Sequence, residues 1–373
     1  MLLVRYVKAN VNLTWLELSD FRCYETLAFA PDTGVNVLIG DNGAGKTSVL
    51  EAIGYLGLLR SFRGTPDDAL VRDGAAVAIV RGGFARRSGE TTVEVELPAS
   101  GRRRILLNAK RPTRNRDVLN EVRIVGFQPD DLDLVKRGPG LRRDYLDDLA
   151  AQLWPQAAAD QTEFAKALRQ RNALLRQDGR SADAMTLDVW DERLSESGAR
   201  VMVARRRVIA DLDPHLGETY RLVGGSGNLS WLYAARWTTD SAAPEGALVT
   251  DLMRALGERR QRDVEMRVTS AGPHRDDPGL VLNGRDARTR ASQGEQRTAA
   301  LALRIGAHRL VTKSTSSPPV LLLDDVFSEL DVYRVRGVLE LLDGGQVLVT
   351  SARDDGDVPI AGRRWRVEQG AIT

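Results

Sequence analysis

The chain has 373 residues, of which 42% are hydrophobic and 28% charged, with a formal net charge of +2. This length and composition indicate two domains, or one domain with an insertion, and exclude a low-complexity protein. Cys23 is the single cysteine, so an internal disulfide is excluded. Signal peptides and membrane spans need apolar stretches, about 20 residues long for a span, that the sequence lacks. We therefore expect a soluble cytoplasmic protein that acts without a membrane.

The first chemical motif follows residues 35 to 39, an apolar run that predicts a short strand. Residues 40 to 47 read GDNGAGKT, the pattern G-x-x-x-x-G-K-T, and a helix is predicted from Lys46. In this pattern backbone N–H groups surround phosphates, the lysine neutralises β- and γ-oxygens, and the Thr47 hydroxyl can bind Mg²⁺. The helix N-terminus adds partial positive charge. The alternative is a glycine-rich turn without a ligand. The predicted nucleotide-binding residues are Gly40, Asp41, Asn42, Gly43, Ala44, Gly45, Lys46, Thr47 and Ser48.

A cluster of seven basic residues, with no acidic residue among them, lies between Glu96 and Asp117. Its members are Arg102, Arg103, Arg104, Lys110, Arg111, Arg114 and Arg116. The first three follow the strand VEVEL and the turn PASG, which predicts a hairpin. Clustered positive charge suits the phosphate backbone of duplex DNA, and the scarcity of aromatic residues disfavours stacking on single strands. A solvated hairpin is the alternative. A second candidate for DNA contact is the run Arg205, Arg206 and Arg207.

Two helices are predicted in the middle of the chain from apolar residues at heptad-like spacing. They contain Ala157, Phe164, Leu168 and Leu175 in the first helix, and Leu187, Trp190, Leu194, Val201, Ala204 and Val208 in the second. Residues 177 to 186 between them read as a loop. We expect an antiparallel helical hairpin about 35 Å long at 1.5 Å per residue. An ordinary amphipathic pair packed on a domain core is an alternative.

A further helix begins within ASQGEQRTAALAL, residues 291 to 303. Ser292 and Glu295 form the capping-box pattern S-x-x-E. The capping box does not explain Gly294, which lowers helix stability in a first turn. A helix N-terminus with a small hydroxyl can bind an anion. Because the chain already has one phosphate loop, this second anion site either has no ligand or serves a nucleotide held elsewhere. The predicted contacts are Ser292, Gln293, Gly294, Glu295 and Gln296.

Residues 320 to 323 form an apolar run that predicts a strand buried on both faces of a parallel sheet. Asp324 follows at its carboxyl end, where ligands collect in open α/β sheets. We predict that Asp324 and Thr47 hold Mg²⁺ and that Asp325 polarises the attacking water. The alternative is that both carboxylates cap the following turn.

These motifs together resemble those of the ABC-type ATPases. The family's signature S-x-G-x-Q matches Ser292, Gly294 and Gln296, and the match begins 32 residues before Asp324. The resemblance implies that Gln128 in VGFQPDD is the Q-loop glutamine, a metal-binding and catalytic residue beside Lys46 and Asp325. It also implies a D-loop at residues 328 to 331.

The same resemblance implies a two-fold homodimer that forms on ATP. Each of two ATP molecules would lie between the phosphate loop of one copy and the signature of the other. Two departures from the family predict slow turnover, suited to a timer. Asp325 replaces the usual glutamate, and Thr350 and Ser351 stand where the family has a switch histidine.

More specifically, the chain resembles the RecF family of bacterial recombination-repair ATPases. The segments that carry this resemblance are NVLIGDNGAGKTSVLEAI, SFRG, VGFQPDDLDLVKRGPGLRRDYLD, TSAGPHRDD, ASQGEQR and LLLDDVFSELD. It implies an α/β fold: an ABC/SMC-type P-loop ATPase head, residues 12–128 and 266–373, with an inserted, mainly helical arm domain, residues 129–265. It also suggests that Arg63, His274 and Arg275 contact the nucleotide.

The function implied is ATP-dependent binding to duplex, gapped or junction DNA in repair, recombination, replication and the SOS response. The cofactors would be ATP and Mg²⁺, with slow DNA-stimulated hydrolysis timing release. RecR, RecO and RecA would be partners, and the protein would help to load the recombinase. One alternative is the nucleotide-binding subunit of an ABC transporter. Another is a tether in which ATP gates dimerisation and hydrolysis is incidental.

Overall fold

The computed structural model describes residues 11–86, 89–128, 131–177, 183–326, 338, 345–352, 362–368 and 370–373. The predicted D-loop, residues 328 to 331, lies outside the described residues. Two compact units are formed, the first by Met1–Leu132, Glu218–Ser226 and Arg297–Thr373, the second by Asp133–Gly217 and Gly227–Gln296. Among the described helices, none is both long and apolar enough to cross a membrane.

The strands and helices are numbered in chain order. The strands are β1 (Asn12–Phe21), β2 (Tyr24–Phe29), β3 (Val35–Ile39), β4 (Val77–Arg86), β5 (Gly89–Pro98), β6 (Arg104–Leu107), β7 (Ile124–Phe127), β8 (Leu229–Ala234), β9 (Asp277–Leu282), β10 (Arg285–Asp286), β11 (Val320–Leu323), β12 (Val347–Ser351), β13 (Arg363–Glu368) and β14 (Ala371–Ile372). The helices are α1 (Lys46–Leu58), α2 (Asn115–Glu121), α3 (Leu132–Lys136), α4 (Pro139–Leu153), α5 (Pro155–Gln177), α6 (Ala184–Leu222), α7 (Glu245–Met266), α8 (Ala287–Arg290) and α9 (Gln293–Thr315).

A six-stranded sheet in the first unit has the order β14-β13-β3-β12-β11-β7, parallel except for β14. Strands β7, β11 and β12 are buried along their whole length, as expected of strands covered on both faces. Leu323 is in register with Phe127, and Ile39 with Ser351. The segments that follow β3, β7 and β11 therefore begin at the same edge of the sheet.

The other sheet of the first unit is antiparallel, with the order β2-β1-β4-β5-β6. Helix α1 contributes to one hydrophobic core with residues of both sheets. Its glycines allow this close packing. A Cβ at Gly54 would lie 2.5 Å from the Phe62 ring, and one at Gly57 would lie 2.6 Å from Ile124. The helix that begins in the phosphate loop is thus fixed firmly within the core.

The second unit contains the paired helices predicted from the heptad spacing. Helices α5 and α6 run antiparallel, because Arg171 pairs with Asp191 at 2.6 Å while Arg200 pairs with Asp160 at 2.9 Å. Helix α5 has 23 residues, close to the expected length, but α6 has 39 and spans about 58 Å. The prediction ended the second helix too early, because α6 continues through Pro214.

The boundaries of the units differ from those predicted for head and arm. Residues 266–296 lie in the second unit, because β9 pairs along its length with β8 and Arg171 of α5 donates to Thr269. Residues 218–226 lie in the first unit. The second unit also has its own core, which includes Leu194 and Leu252.

Candidate nucleotide-binding site

The phosphate loop connects β3 to α1, and its glycines are required by the backbone. Gly43 and Gly45 have φ angles of 86° and 107°, in the region that favours glycine. A Cβ at Gly45 would lie 2.6 Å from the Tyr24 hydroxyl, and one at Gly40 would overlap the carbonyl oxygen of Val367. The loop is therefore shaped by local conformation and by contact with two other strands.

The Lys46 ammonium is held inside this loop. Its Nζ donates to the carbonyl oxygens of Gly40 at 2.6 Å and Asp41 at 2.8 Å. Burial lowers the pKa of Lys46, and the nearby carboxylates of Asp325 and Asp324 oppose this effect. A positive charge is thus held at the start of α1, where the helix N-terminus also favours an anion.

Two hydroxyl side chains from separate parts of the chain meet at Asp324. Its Oδ1 accepts hydrogen bonds from the hydroxyl of Thr47 at 2.9 Å and from that of Thr350 at 2.8 Å. Burial raises the pKa of Asp324, while these two hydroxyls and the charge of Arg63 oppose the rise. A hydroxyl oxygen beside a carboxylate is a donor set that Mg²⁺ prefers, so Thr47 and Asp324 fit the predicted metal.

Asp325 continues the chain in an unusual conformation. Its φ is 49°, uncommon for a residue other than glycine, and its backbone N–H donates to the Thr350 hydroxyl at 2.8 Å. Asp325 lines a pocket of about 520 Å³ together with Lys46, Thr47 and Asp324. Its volume is in the range of ligand sites, about 300 to 1,000 Å³. Also on its wall are Asn42, Gly43, Gly45, Ser48 and Thr350.

Gln128 is close to this pocket but is not one of its lining residues. Its Nε2 donates to the carbonyl oxygen of Phe62 at 3.0 Å. Its Oε1 is buried and accepts no hydrogen bond from the residues that the structure describes. Because the nitrogen is already engaged, the oxygen is the atom left for a metal or water. The predicted role of Gln128 thus remains a prediction, with a suitable donor atom.

Sequence reasoning missed the lining residues Arg22, Cys23 and Asp73, as well as the apolar Ala69, Val71 and Ala352. None belongs to a recognisable motif. Arg22 and Cys23 form the turn between β1 and β2, and Asp73 lies in the turn before β4. In the sequence, Thr350 stands out only because it replaces the switch histidine of the ABC ATPases. The place of β12 beside β11 in the sheet brings its hydroxyl to Asp324. Arg63, suggested by resemblance, lines the pocket.

The signature segment lies at the start of α9, in the second unit. Its capping box is present, since the Ser292 backbone N–H donates to Glu295 Oε2 at 2.7 Å and the Glu295 N–H donates to Ser292 Oγ at 3.3 Å. A Cβ at Gly294 would meet no atom of the described residues within 4 Å. Packing against the described part of the chain therefore does not require glycine there. Gln293 and Ser292 are exposed.

Gln296 differs from its neighbours in the signature. Its side chain is buried, and its Nε2 donates to the carbonyl oxygens of Ala287 at 3.3 Å and Arg288 at 3.1 Å. The predicted direct contact with a nucleotide does not suit this inward orientation. The amide instead holds α8 against the start of α9.

The basic cluster on the β5–β6 hairpin is not uniform. Arg103 donates to the Tyr55 hydroxyl at 2.7 Å and pairs with Asp67 at 3.2 Å. Arg104 pairs with Glu96 at 3.2 Å. The others described are exposed, namely Arg102, Lys110, Arg111 and Arg114, whereas the Arg116 side chain is outside the description. Two of the predicted contacts therefore already have carboxylate partners.

The second candidate for DNA contact is wrong for Arg205. This side chain is buried, pairs with Asp147 at 2.7 Å and donates to the carbonyl oxygen of Pro273 at 2.7 Å. Arg206 and Arg207 are also engaged, by the Ala243 carbonyl and by the Trp154 ring. Arg205 and Arg206 therefore make their contacts within the second unit, whereas Arg207 is exposed.

His274 and Arg275 are likewise engaged within the second unit. His274 is half-buried, with Nε2 3.1 Å from the carbonyl oxygen of Thr269 and its ring 5.9 Å from that of Phe164. Arg275 donates to the same carbonyl at 3.3 Å. The suggested nucleotide contacts are therefore not supported by the contacts that these side chains make.

Comparison with known proteins agrees with the geometry. The family model described as RecF/RecN/SMC N terminal domain matches residues 12–356. A protein of Acidothermus cellulolyticus named "DNA replication and repair protein RecF" is 40% identical over 367 residues, covering 96% of this chain and 98% of the relative. One of the same name from Streptomyces avermitilis is 41% identical, covering 97% and 99%.

Solved structures show the same fold. "Structure of the recombination mediator protein RecF-ATP in RecFOR pathway" has a TM-score of 0.92 and 28% identity, covering 99% of both chains. An SMC head bound to the C-winged helix domain of ScpA has a TM-score of 0.56 and 18% identity, covering 97% of this chain and 96% of the other, and shows the fold alone. The predicted ABC/SMC-type head fold is confirmed. The chain belongs to the RecF family.

Proposed function

We propose that this protein is an ATP-dependent DNA-binding protein of recombination repair. Two copies would dimerise on ATP, and slow hydrolysis would time their release from gapped or junction DNA. The observation that carries the proposal is the convergence of the Thr47 and Thr350 hydroxyls on Asp324 Oδ1, in a pocket that also contains Lys46 and the phosphate loop. The relatives named as DNA replication and repair proteins, and the solved relative named RecF-ATP, support it.

The residues of the pocket have distinct proposed roles. When ATP binds, Lys46 exchanges its two loop carbonyl partners for β- and γ-phosphate oxygens. Thr47, Asp324 and the Gln128 Oε1 would hold Mg²⁺. When bound, Mg²⁺ would neutralise charge that develops on the phosphate oxygens. Asp325 orients the attacking water.

Slow hydrolysis follows from Asp325 and Thr350. The carboxylate of Asp325 is one methylene shorter than the glutamate usual in ABC ATPases, so it reaches less far towards a water. Its backbone is also tied to Thr350, which limits adjustment. Thr350 is occupied by Asp324 and has no imidazole to stabilise the γ-phosphate. The pocket is thus better suited to holding ATP than to rapid turnover.

The other half of each site would come from the second copy. The exposed start of α9 offers a helix N-terminus and the Ser292 hydroxyl, and the space beside Gly294 is open. In a two-fold dimer the same surface of each copy faces the phosphate loop of the other. ATP then stabilises the dimer, and loss of the γ-phosphate releases it. Gln296 acts here by positioning, since its amide holds α8.

DNA and protein partners complete the proposal. Exposed basic residues on and after the β5–β6 hairpin, Arg102, Lys110 and Arg111, would contact the DNA backbone without reading sequence. DNA would stimulate hydrolysis by stabilising the dimer. The RecFOR pathway named for the solved relative supports RecR and RecO as partners. The outcome would be help in loading the recombinase RecA onto the DNA.

The test is solution mass by light scattering with ATP and Mg²⁺, with ADP, and without nucleotide, each with and without duplex DNA. We expect a dimer mass with ATP only. Asp325→Asn should give a dimer that persists on DNA, whereas Lys46→Arg should not dimerise. A monomer in every condition would contradict the proposal. If Asp325→Asn supported repair as well as the wild type, ATP would act only as a gate on a tether.

The relatives do not favour the transporter alternative. The named matches above are repair proteins over nearly the full length of this chain. Fractionation separates the two functions, because a transporter subunit copurifies with membranes, whereas the proposed protein should be retained on a DNA column in the presence of ATP.

A further inference from the structure

Glu51 is a buried carboxylate within α1, five residues after Lys46. Its side chain has no exposed surface. It accepts hydrogen bonds from Arg22, with Nε at 2.9 Å and Nη2 at 3.0 Å, and from the Ser61 hydroxyl at 2.5 Å. A buried carboxylate needs such partners to offset its loss of hydration. The guanidinium supplies the charge, and the serine supplies a link to another segment.

That segment is the tight turn that contains Arg63. The Ser61 hydroxyl donates to Glu51 and accepts the backbone N–H of Arg63 at 3.1 Å. The Gly64 N–H closes the turn on the Ser61 carbonyl at 3.2 Å. Between them, the Phe62 ring packs against α1 at Gly54, with no room for a Cβ. The turn is therefore fastened to α1 by one polar and one apolar contact.

The same turn contacts two parts of the nucleotide site. The Phe62 carbonyl oxygen accepts a hydrogen bond from the Gln128 amide nitrogen, which leaves the Gln128 oxygen to bind a metal or water in the nucleotide site. Arg63 lines the pocket that contains Asp324, and its positive charge acts on that carboxylate. Displacement of the turn would move a charge and an amide of the site at once.

We propose that Glu51 is a positioning residue of the nucleotide site. Through Ser61 it fixes the turn that presents Arg63 to the pocket and that holds the Gln128 amide. The inference rests on the proposed ATPase function. The alternative role for Glu51 is an ion pair that holds Arg22, in the β1–β2 turn, against α1 without any link through Ser61.

The test compares Glu51→Gln and Ser61→Ala with the wild type as full-length proteins. Both ATP Kd and kcat are measured, with the melting temperature alongside. We expect kcat to fall by about tenfold or more while the ATP Kd changes less than about threefold, because misplaced groups weaken the transition state more than ground-state binding. Glu94→Gln is the matched control. It removes a carboxylate from the 2.6 Å pair with Arg81 on the five-stranded sheet, and Glu94 does not line the pocket. Its kcat should equal that of the wild type.

A double variant distinguishes positioning from a structural role. If Glu51 acts through Ser61 and the turn, then Glu51→Gln in a Ser61→Ala background should lower kcat no further than Ser61→Ala alone. Effects that multiply would overturn the inference, because Glu51 would then act independently of the turn.

Ser61→Ala keeps the inference testable if Glu51→Gln does not fold. It removes the link to the turn and leaves the Glu51–Arg22 pair intact. Wild-type kcat in Ser61→Ala would overturn the inference while the ATPase proposal stands. A wild-type protein that neither binds nor hydrolyses ATP would instead overturn the proposed function itself.

Discussion

Thr350 donates its hydroxyl to Asp324 Oδ1 at 2.8 Å and accepts the backbone N–H of Asp325 at the same distance. One hydroxyl at the end of β12 therefore fixes both the predicted metal-binding carboxylate and the backbone of the residue predicted to orient water. Many ABC ATPases place a histidine in this region. Here the position serves the arrangement of the two carboxylates.

The first prediction concerns Thr350→Val, which keeps the shape of the side chain and removes its hydroxyl. The Asp325 N–H loses its partner, so the free energy of unfolding should fall by about 1–3 kcal/mol. The pKa of Asp324 should rise further, because the variant lacks a hydrogen bond that lowers it. We expect weaker Mg²⁺ binding, so that a higher Mg²⁺ concentration is needed for half-maximal activity, and slower hydrolysis. Denaturant unfolding measures the stability, and ATPase assays across a Mg²⁺ series measure the other two effects. Thr350→Ser retains the hydroxyl and is the control. Equal behaviour of the two variants would contradict this account.

The second prediction separates folding from dimerisation at Gly294. A Cβ at this residue would meet no atom of the described residues within 4 Å, so there is room to begin a side chain in Gly294→Asp. An acidic residue in a first helical turn interacts favourably with the helix dipole by about 0.3–1 kcal/mol. The same charge should repel a triphosphate. We therefore expect an unchanged or higher melting temperature together with loss of the ATP-dependent dimer in light scattering.

Gly294→Ala is the uncharged control for that experiment. It should be at least as stable as the wild type, because alanine favours the helix by about 0.8–1 kcal/mol over glycine. Its dimer should be weakened less than that of the aspartate variant. A Gly294→Asp protein that dimerises on ATP like the wild type would show that this helix start does not face the nucleotide.

The third prediction divides the basic cluster by its internal partners. Arg102, Lys110 and Arg111 are exposed, so changing each to alanine should weaken DNA binding. Each change should also reduce the slope of log affinity against log salt concentration by about one, because one phosphate is no longer neutralised. Arg103→Ala should instead lower stability, because Arg103 bonds Tyr55 and Asp67 within the chain. Affinity measured over a salt series, with melting temperatures, tests both. Equal loss of DNA affinity in all four variants would refute the division.

Local patterns were sufficient for the part of the site built on strand ends. In a parallel sheet, the segments that follow the strands all begin at its carboxyl edge. The glycine-rich loop after β3 and Asp324 after β11 therefore lie at that edge, and the register of β3, β11 and β12 brings them together. The fold class follows from the same logic, because the motifs fall between buried parallel strands. Thr47 and Asp324 meet for this reason, 277 residues apart.

Side-chain burial could not be predicted in the same way. Arg205 resembles an exposed cation in the sequence, and only packing reveals its partner Asp147, 58 residues earlier. Gln296 matches the family signature, yet its amide faces inward to α8. The pairing of Arg22 with Glu51 depends on how the β1–β2 turn approaches α1, and no local pattern encodes that approach.

The second unit contains a buried carboxyl group, Asp276, and a half-buried imidazole, His274, whose titrations have opposite effects on stability. Burial raises the pKa of Asp276 to about 6, although the Tyr233 hydroxyl and the Trp237 ring N–H donate to it and the charges of Arg205 and Arg143 oppose the rise. Burial also lowers the pKa of His274 to about 4, partly opposed by its bond to the Thr269 carbonyl.

The fourth prediction follows from the signs of these two shifts. As pH falls from about 6.5 to 4, the unfolded chain protonates His274 before the folded protein does, so stability is lost. Over nearly the same range the folded protein protonates Asp276 first, so stability is gained. Each effect is on the order of 3 kcal/mol, and in the wild type they nearly cancel. Relative to the wild type, Asp276→Asn should therefore become less stable as pH falls from 7 to 4, and His274→Gln more stable. Urea unfolding at each pH measures the difference, and the double variant should follow the wild type. Parallel pH profiles for the two single variants would disprove the opposing titrations.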